Sequence, residues 1–341
     1  MTIYKRDQGQ EAINQSFKSK VLCPKSLVLV LLLLFHICYL PASGENRPVV
    51  RPKIGLVLGG GGARGAAHIG VLRILEKENI PIDYIVGSSV GALIGALYSG
   101  GVSTDELEKY AISGAINKVY KTDFSVLRII LLPINKFLRT IVGAPLYAGL
   151  YSDHKLHNFV NELVTDRDGN ISVSIPLHII AVDLISGKPV VIESGDIGLA
   201  VQASTAIPTL RRPVIVDDKL LVDGSVLKNM PVDEARKMGA DIVIAINIDE
   251  KLEPKKKEEF RSFEGVITRI ITLSLANQSE TVLEKADVVI DPNLNGIGVL
   301  DLDTVSLSKA IKAGEEATLN AMPRIKEVIN SNRQRLLQVK N

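Results

Sequence analysis

The sequence predicts an α/β fold built on a mostly parallel sheet with helices on both faces, and two observations carry that expectation. Short apolar runs alternate with stretches of helical pattern from residue 54 onward, the order that parallel strands and crossover helices require. The runs are apolar throughout, as in "IGLVL" at 54–58, which marks strands buried on both faces rather than one.

Taken in order, "NRPVVRPK" carries two prolines and reads as a linker, assigned to 45–52, so that a single folded domain is expected over 53–330 with a short tail at 331–341. The first strand at 54–58 leads into a helix near 65–78, and a second at 83–86 leads into a helix near 90–99. Further strands are expected at 177–184, 189–194, 241–248 and 286–292. The charged run "KLEPKKKEEF" at 251–260 reads as a solvated loop.

Charge and composition exclude some functions. The 40 basic residues nearly balance the 38 acidic ones, and the first 44 residues hold more than the whole excess, since Lys5, Arg6, Lys18, Lys20 and Lys25 face only Asp7 and Glu11 there. There is no tryptophan and aromatics are few, so neither a basic field nor stacking surfaces point to nucleic acid. Both cysteines, Cys23 and Cys38, precede the domain, which therefore holds neither a disulfide nor a thiolate metal site.

Residues 26–40, "SLVLVLLLLFHICYL", carry no charge, follow three lysines and precede the small residues "PASG". This three-part pattern predicts a secretory signal or an uncleaved membrane anchor over 1–44. Either places the domain on the periplasmic or extracellular side. Neither cysteine has the preceding small residue that lipidation of a signal would need.

Two glycine motifs follow the first two strands. "GGGGARG" at 59–65 satisfies G-x-G-x-x-G through Gly60, Gly62 and Gly65, the pattern of a dinucleotide site. A nucleotide site also wants an acidic residue at the far end of the second strand, yet Asp83 begins that strand. No nucleotide is therefore expected. Consecutive glycines still let backbone N–H groups crowd an anion, a tetrahedral oxyanion included. The second motif, "GSSVG" at 87–91, has the G-x-S-x-G form: Gly87 and Gly91 clear the space for a sharp strand-to-helix turn that would lift the Ser89 hydroxyl into the open, beside the N–H of Val90.

A serine nucleophile needs a base. Of the five histidines (His36, His68, His154, His157 and His178) none lies on a strand-end loop near the C-terminus, where an α/β-hydrolase holds its triad histidine. "LLVDGS" instead places Asp223, Gly224 and Ser225 on a tight turn after an apolar strand, and a carboxylate in a dry pocket can take a hydroxyl proton directly. No His, Cys or Asp cluster has metal-ligand spacing, and neither a metal nor a cofactor is expected.

"GGGGARG", "GSSVG" and "VDGS", in that order, together with "SGKPVVIESGDIGLAVQASTAIP" at 186–208 and "NMPVDEARKMGADIVIAINI" at 229–248, resemble the patatin-like phospholipases, most closely their bacterial members. The resemblance covers roughly 52–325. It implies a three-layer α/β/α sandwich, Ser89 as nucleophile, Asp223 as proton acceptor of a Ser-Asp dyad, and an oxyanion hole of Gly60, Gly61 and Gly62 with Val90 N–H as a further donor. Arg64 matches the basic position of the glycine motif and is expected to shape that loop. Two departures stand out: Ser225 replaces the usual Gly or Ala, and "TLRRPV" puts Leu210 at a common aromatic position with Arg211 and Arg212 after it, which fit either contact with lipid phosphate or, the favoured reading, a solvated turn.

The stretch 124–150 is apolar with Arg128, Lys136 and Arg139 interspersed, and fits either a lid or interfacial helix on a membrane surface or a core-packed helical pair. The resulting expectation is a serine lipid acyl hydrolase of the phospholipase A or lysophospholipase type. The alternatives are a catalytically silent lipid-binding domain and an esterase or thioesterase on small acyl groups.

Overall fold

The computed structural model describes residues 51–120, 154–165, 173–208 and 210–339. The expected signal or anchor at 1–44, most of the linker and the 124–150 stretch lie outside the described residues. In chain order the elements are β1 (Ile54–Leu58), α1 (Ala67–Lys77), β2 (Tyr84–Ser88), α2 (Val90–Ser99), α3 (Thr104–Ile112), α4 (Ala115–Tyr120), α5 (His154–Val164), β3 (Leu177–Asp183) and β4 (Lys188–Ile192). There follow α6 (Ile197–Ser204), β5 (Val214–Val216), β6 (Lys219–Asp223), α7 (Val232–Lys237), β7 (Ile242–Ile246), α8 (Phe263–Leu283), β8 (Val288–Ile290) and α9 (Thr304–Val339).

The two-residue period of a strand splits the apolar runs between two cores. Ile54, Leu56 and Leu58 of β1 and Ile242, Ile244 and Ile246 of β7 pack with residues of α1, α2 and α9, whereas Val57, Val243 and Ala245 pack with Val232 and Ala235 of α7 and the end of α8. Helices therefore cover both faces, and the three-layer expectation holds. The α9 helix runs unbroken past residue 330 to Val339. No helix among the described residues is long and apolar enough to cross a membrane.

The sheet is parallel from β3 through β2, β1 and β7 to β8, and antiparallel where β4, β5 and β6 join it. The register around β3 decides where the site falls. Ile179 and Ile180 pair with both β2 and β4, so those two strands flank opposite edges of β3. Ala181, Val182 and Asp183 pair with both β4 and β6, which puts β6 on the edge that β2 has just left. The strands β2 and β6 thus meet end to end along one edge of β3, with Ser88 opposite Ile180 and Asp223 opposite Ala181.

Candidate active site

That meeting point brings two carboxyl ends of strands together. At the end of β2 the chain turns into α2 through Ser89, whose φ of 52° and ψ of −124° are a strained conformation for a side chain with a Cβ. The turn is possible because Gly91 packs against β1: a Cβ there would lie 2.1 Å from the Leu58 carbonyl oxygen. At the end of β6, Asp223 receives the serine hydroxyl, which donates to Oδ2 at 2.7 Å. Its other oxygen, Oδ1, accepts from the Ser225 N–H at 2.9 Å.

The pair is dry. Ser89 is 8% and Asp223 4% exposed, and burial drives the Asp223 carboxyl up from the ordinary aspartate range to about 6, against the opposing pull of hydrogen bonds from Ser89 and Ser225 and of the Arg211 charge. Arg211 is buried rather than on a solvated turn, and its charge works against the desolvation of the carboxylate. Ser225 fits the turn through that N–H and through its hydroxyl, 3.2 Å from the hydroxyl of Ser88.

The glycine loop lies directly against the dyad: a Cβ on Gly60 would fall 2.1 Å from Ser225 Oγ and 2.9 Å from Ser89 Cβ. Its donors are unequally available. The Gly60 N–H is already given to Asn229 Oδ1 at 2.8 Å, and the Ala63 N–H to the Val299 carbonyl at 2.9 Å. That takes Gly60 out of the expected donor set. No described residue accepts from the N–H of Gly61, of Gly62 (φ 58°) or of Val90, the first residue of α2. Gly65 packs on the Val90 side chain, Gly87 backs onto Ala92, and Gly224 lies under the Ile180 carbonyl, so each expected glycine is at the site.

Arg64 holds the loop by its head group. Nε donates to the Ile248 carbonyl at 2.6 Å, Nη1 to those of Leu294 and Ile297 at 3.1 and 2.8 Å, and Nη2 to that of Asp249 at 2.9 Å. One buried guanidinium therefore ties the glycine loop to the segments after β7 and β8, using the fork geometry that lysine lacks. Beneath the loop, burial lowers His68 to about 4, so the ring is neutral and donates from Nε2 to the Gly59 carbonyl at 2.8 Å.

Two site residues escaped the sequence reading. Ser204 accepts the Ser89 N–H at 3.0 Å and donates to the Ile180 carbonyl at 2.6 Å, bracing the turn against β3. Asn229 joins Gly60 to Asp249, to which its Nδ2 donates at 2.9 Å. Both lie inside stretches quoted above for their resemblance, but a hydroxyl or amide whose partner is backbone leaves no spacing signal. Away from the dyad, His178, Glu193 and Glu234 bring ligand-type atoms within 4.8 Å of one another. Glu234 is already paired there, with Lys237 Nζ at 3.1 Å from its Oε2.

The chain is similar to known proteins in both sequence and fold. An uncharacterized NTE family protein of Mycobacterium tuberculosis is 33% identical over 61% of this chain and 52% of its own length. The human patatin-like phospholipase domain-containing protein 6 is 33% identical over 57% of this chain and 13% of its own length, and lysophospholipase nte1 of Aspergillus fumigatus is 32% identical over 57% and 12%. The chain thus spans about half the length of the mycobacterial relative and a small part of the other two. Human GIVD cytosolic phospholipase A2 shares the fold, with a TM-score of 0.50 at 10% identity over 83% of this chain and 60% of that one. The model of the patatin-like phospholipase family matches residues 56–236, more than half of the sequence, and the chain belongs to that family.

Proposed function

We propose that the protein is a serine lipid acyl hydrolase of the phospholipase A or lysophospholipase type, working through a Ser89–Asp223 dyad. The observation that carries this reading is the 2.7 Å hydrogen bond from the strained, buried Ser89 hydroxyl to a carboxylate raised to about 6. A carboxylate in that range is ionised at neutral pH yet basic enough to accept a proton in the transition state. The names of the relatives, two of them phospholipase or lysophospholipase, support a lipid ester as substrate.

In acylation Ser89 Oγ attacks the ester carbonyl carbon while its proton passes to Asp223 Oδ2. The oxyanion is held by the N–H groups of Gly61, Gly62 and Val90, each such donor being worth roughly 10²–10³ in rate. Collapse breaks the bond to the alcohol oxygen, which leaves with the proton from Asp223, and an acyl-enzyme remains. Water then gives a proton to Asp223 and attacks the acyl carbon, and the proton returns to Ser89 as the fatty acid departs. The N-terminal segment, read as a signal or anchor, and the apolar 124–150 stretch fit export and work at a membrane surface.

The test is fatty-acid release from mixed phospholipid micelles in the presence of a chelator, comparing the full chain with Ser89→Ala and Asp223→Asn. Release by the parent alone is expected. Folded protein that releases nothing from phospholipids, lysophospholipids or short esters would overturn the hydrolase reading and leave a lipid-binding domain.

A further inference from the structure

His178, Glu193 and Glu234 come from three parts of the fold and converge on one point. The strand period puts His178 on the same face of β3 as Ile180, whose side chain packs in the core with Val232 and Ala235 of α7. Pairing of Ile179 with Ile192 sets Glu193, the residue after β4, across from His178. Glu234 reaches the same place from α7, where it is buried. The ligand-type atoms of all three lie within 4.8 Å of one another. Sequence spacing hides the set, because only strand register and helix packing bring it together.

Their geometry is that of ligands waiting for an ion. His178 Nδ1 is shut off from solvent and has no hydrogen-bond partner, an uncommon state for a buried ring nitrogen. Glu234 Oε1 faces it at 3.6 Å, too far for a hydrogen bond. That separation is close to the edge of a tetrahedron, roughly 3.4 Å, whose corners lie about 2.1 Å from a metal. Lys237 and Lys228 approach the other oxygen, Oε2, at 3.1 and 3.8 Å. They hold the carboxylate from behind, as partners of a ligating carboxylate do, and leave Oε1 to the ring. Glu193 is exposed and has neither an ion pair nor a hydrogen bond among the described residues, so its carboxylate is at liberty to swing in as the third ligand.

We propose that His178, Glu193 and Glu234 form a divalent-metal site and that zinc is the ion it takes. One imidazole nitrogen with two carboxylates suits zinc, whereas calcium and magnesium take oxygen donors. The metal ties together β3, the end of β4 and α7, and so braces the strand along which β2 and β6 meet. None of the three residues lines the cavities at Ser89, and the site stands whether or not the hydrolase reading does.

The experiment uses the full chain, stripped with a chelator and returned to chelator-free buffer, with zinc, calcium or magnesium chloride added alone. Titration calorimetry gives the dissociation constant for zinc. At about a hundredfold over that constant, zinc should raise the melting temperature by at least about 3 °C, by mass action on the folded state. Calcium and magnesium should not. Glu193→Gln changes an exposed side chain where folding is not at stake, and should weaken zinc binding at least about tenfold. His178→Gln should abolish the rise, measured from its own metal-free melting temperature; if that variant does not fold, Glu193→Gln alone decides. No rise in the parent would leave His178 and Glu234 as an ordinary ion pair and overturn the assignment. A rise that persists unchanged in Glu193→Gln would overturn it too, by placing the zinc elsewhere, and an equal rise with calcium would remove the imidazole from the site.

Discussion

The parallel and antiparallel parts of the sheet contribute unlike things to one site. From the parallel part come the nucleophile and the oxyanion loop, each at a strand-to-helix turn where glycine is needed: Gly60 against Ser89, Gly91 against Leu58. From the antiparallel part comes the base, carried to the nucleophile by a strand that takes over the edge of β3 one residue beyond the last pair of β2. The first half is made by local stereochemistry and the second by long-range register. A dyad with partners 134 residues apart in sequence needs both to within an ångström.

Breaking either partner should give the largest effect. Ser89→Ala and Asp223→Asn should each lower turnover by about 10⁴-fold, since each removes a group that acts in bond formation or proton transfer. The two should differ in stability. The Asp223 carboxyl is raised above its unfolded value, so its ionised form costs stability at neutral pH, a cost relieved as pH falls through about 6 toward the ordinary aspartate range near 3.8. Asp223→Asn should therefore melt no lower than the parent at pH 7, measured by differential scanning calorimetry, while a group serving stability alone would melt lower.

The same ionisation gives the pH profile. Activity should be lost as pH falls through about 6, where Asp223 becomes protonated and can no longer accept the Ser89 proton. A profile of kcat/KM against pH checks this, and a flat profile down to pH 4.5 would separate Asp223 from the chemistry.

On the parallel side, Gly60→Ala would drive a methyl group into Ser225 and Ser89 and should cost roughly 10²-fold in kcat through displaced oxyanion donors. Arg64→Lys keeps the charge and loses most of the four carbonyl contacts, with an expected destabilisation on the order of 3 kcal/mol. Urea unfolding would measure it.

The smallest change tests the join between the two parts. Ser204→Ala removes the brace between the Ser89 N–H and β3 and should cost about 1 kcal/mol of stability. Turnover should fall less than in Gly60→Ala. A null effect on both would mean that β3 register alone holds the turn.

What was legible in the sequence divides along the same line. Ser89, Gly87, Gly91 and the glycine loop announce themselves because a sharp turn with no room for Cβ admits few residue types, and those residues are contiguous. The apolar strands β1 and β7 are readable because burial on both faces leaves no polar position. The short edge strand β5, three residues with an exposed Ile215, carried no such pattern. Asp223 was visible as a turn residue, but its nearness to Ser89 depends on β6 following β2 along β3, which no local pattern encodes. The Gly60 N–H was counted as a donor for the same reason, since its acceptor on Asn229 lies 169 residues away. Arg211 reads as solvated from sequence because surface arginines are so often uncommitted, whereas the fold buries it within reach of the Asp223 charge.

The central claim is that Asp223 activates Ser89, and covalent labelling by a fluorophosphonate, followed by intact mass and by the labelling rate between pH 4.5 and 8, tests it without any choice of lipid. The parent should gain one adduct on Ser89 at a rate that rises with pH through about 6, Ser89→Ala should gain none, and Asp223→Asn should label at least about 10²-fold more slowly with no inflection. An adduct that persists in Ser89→Ala, or an unchanged rate and pH profile in Asp223→Asn, would contradict it.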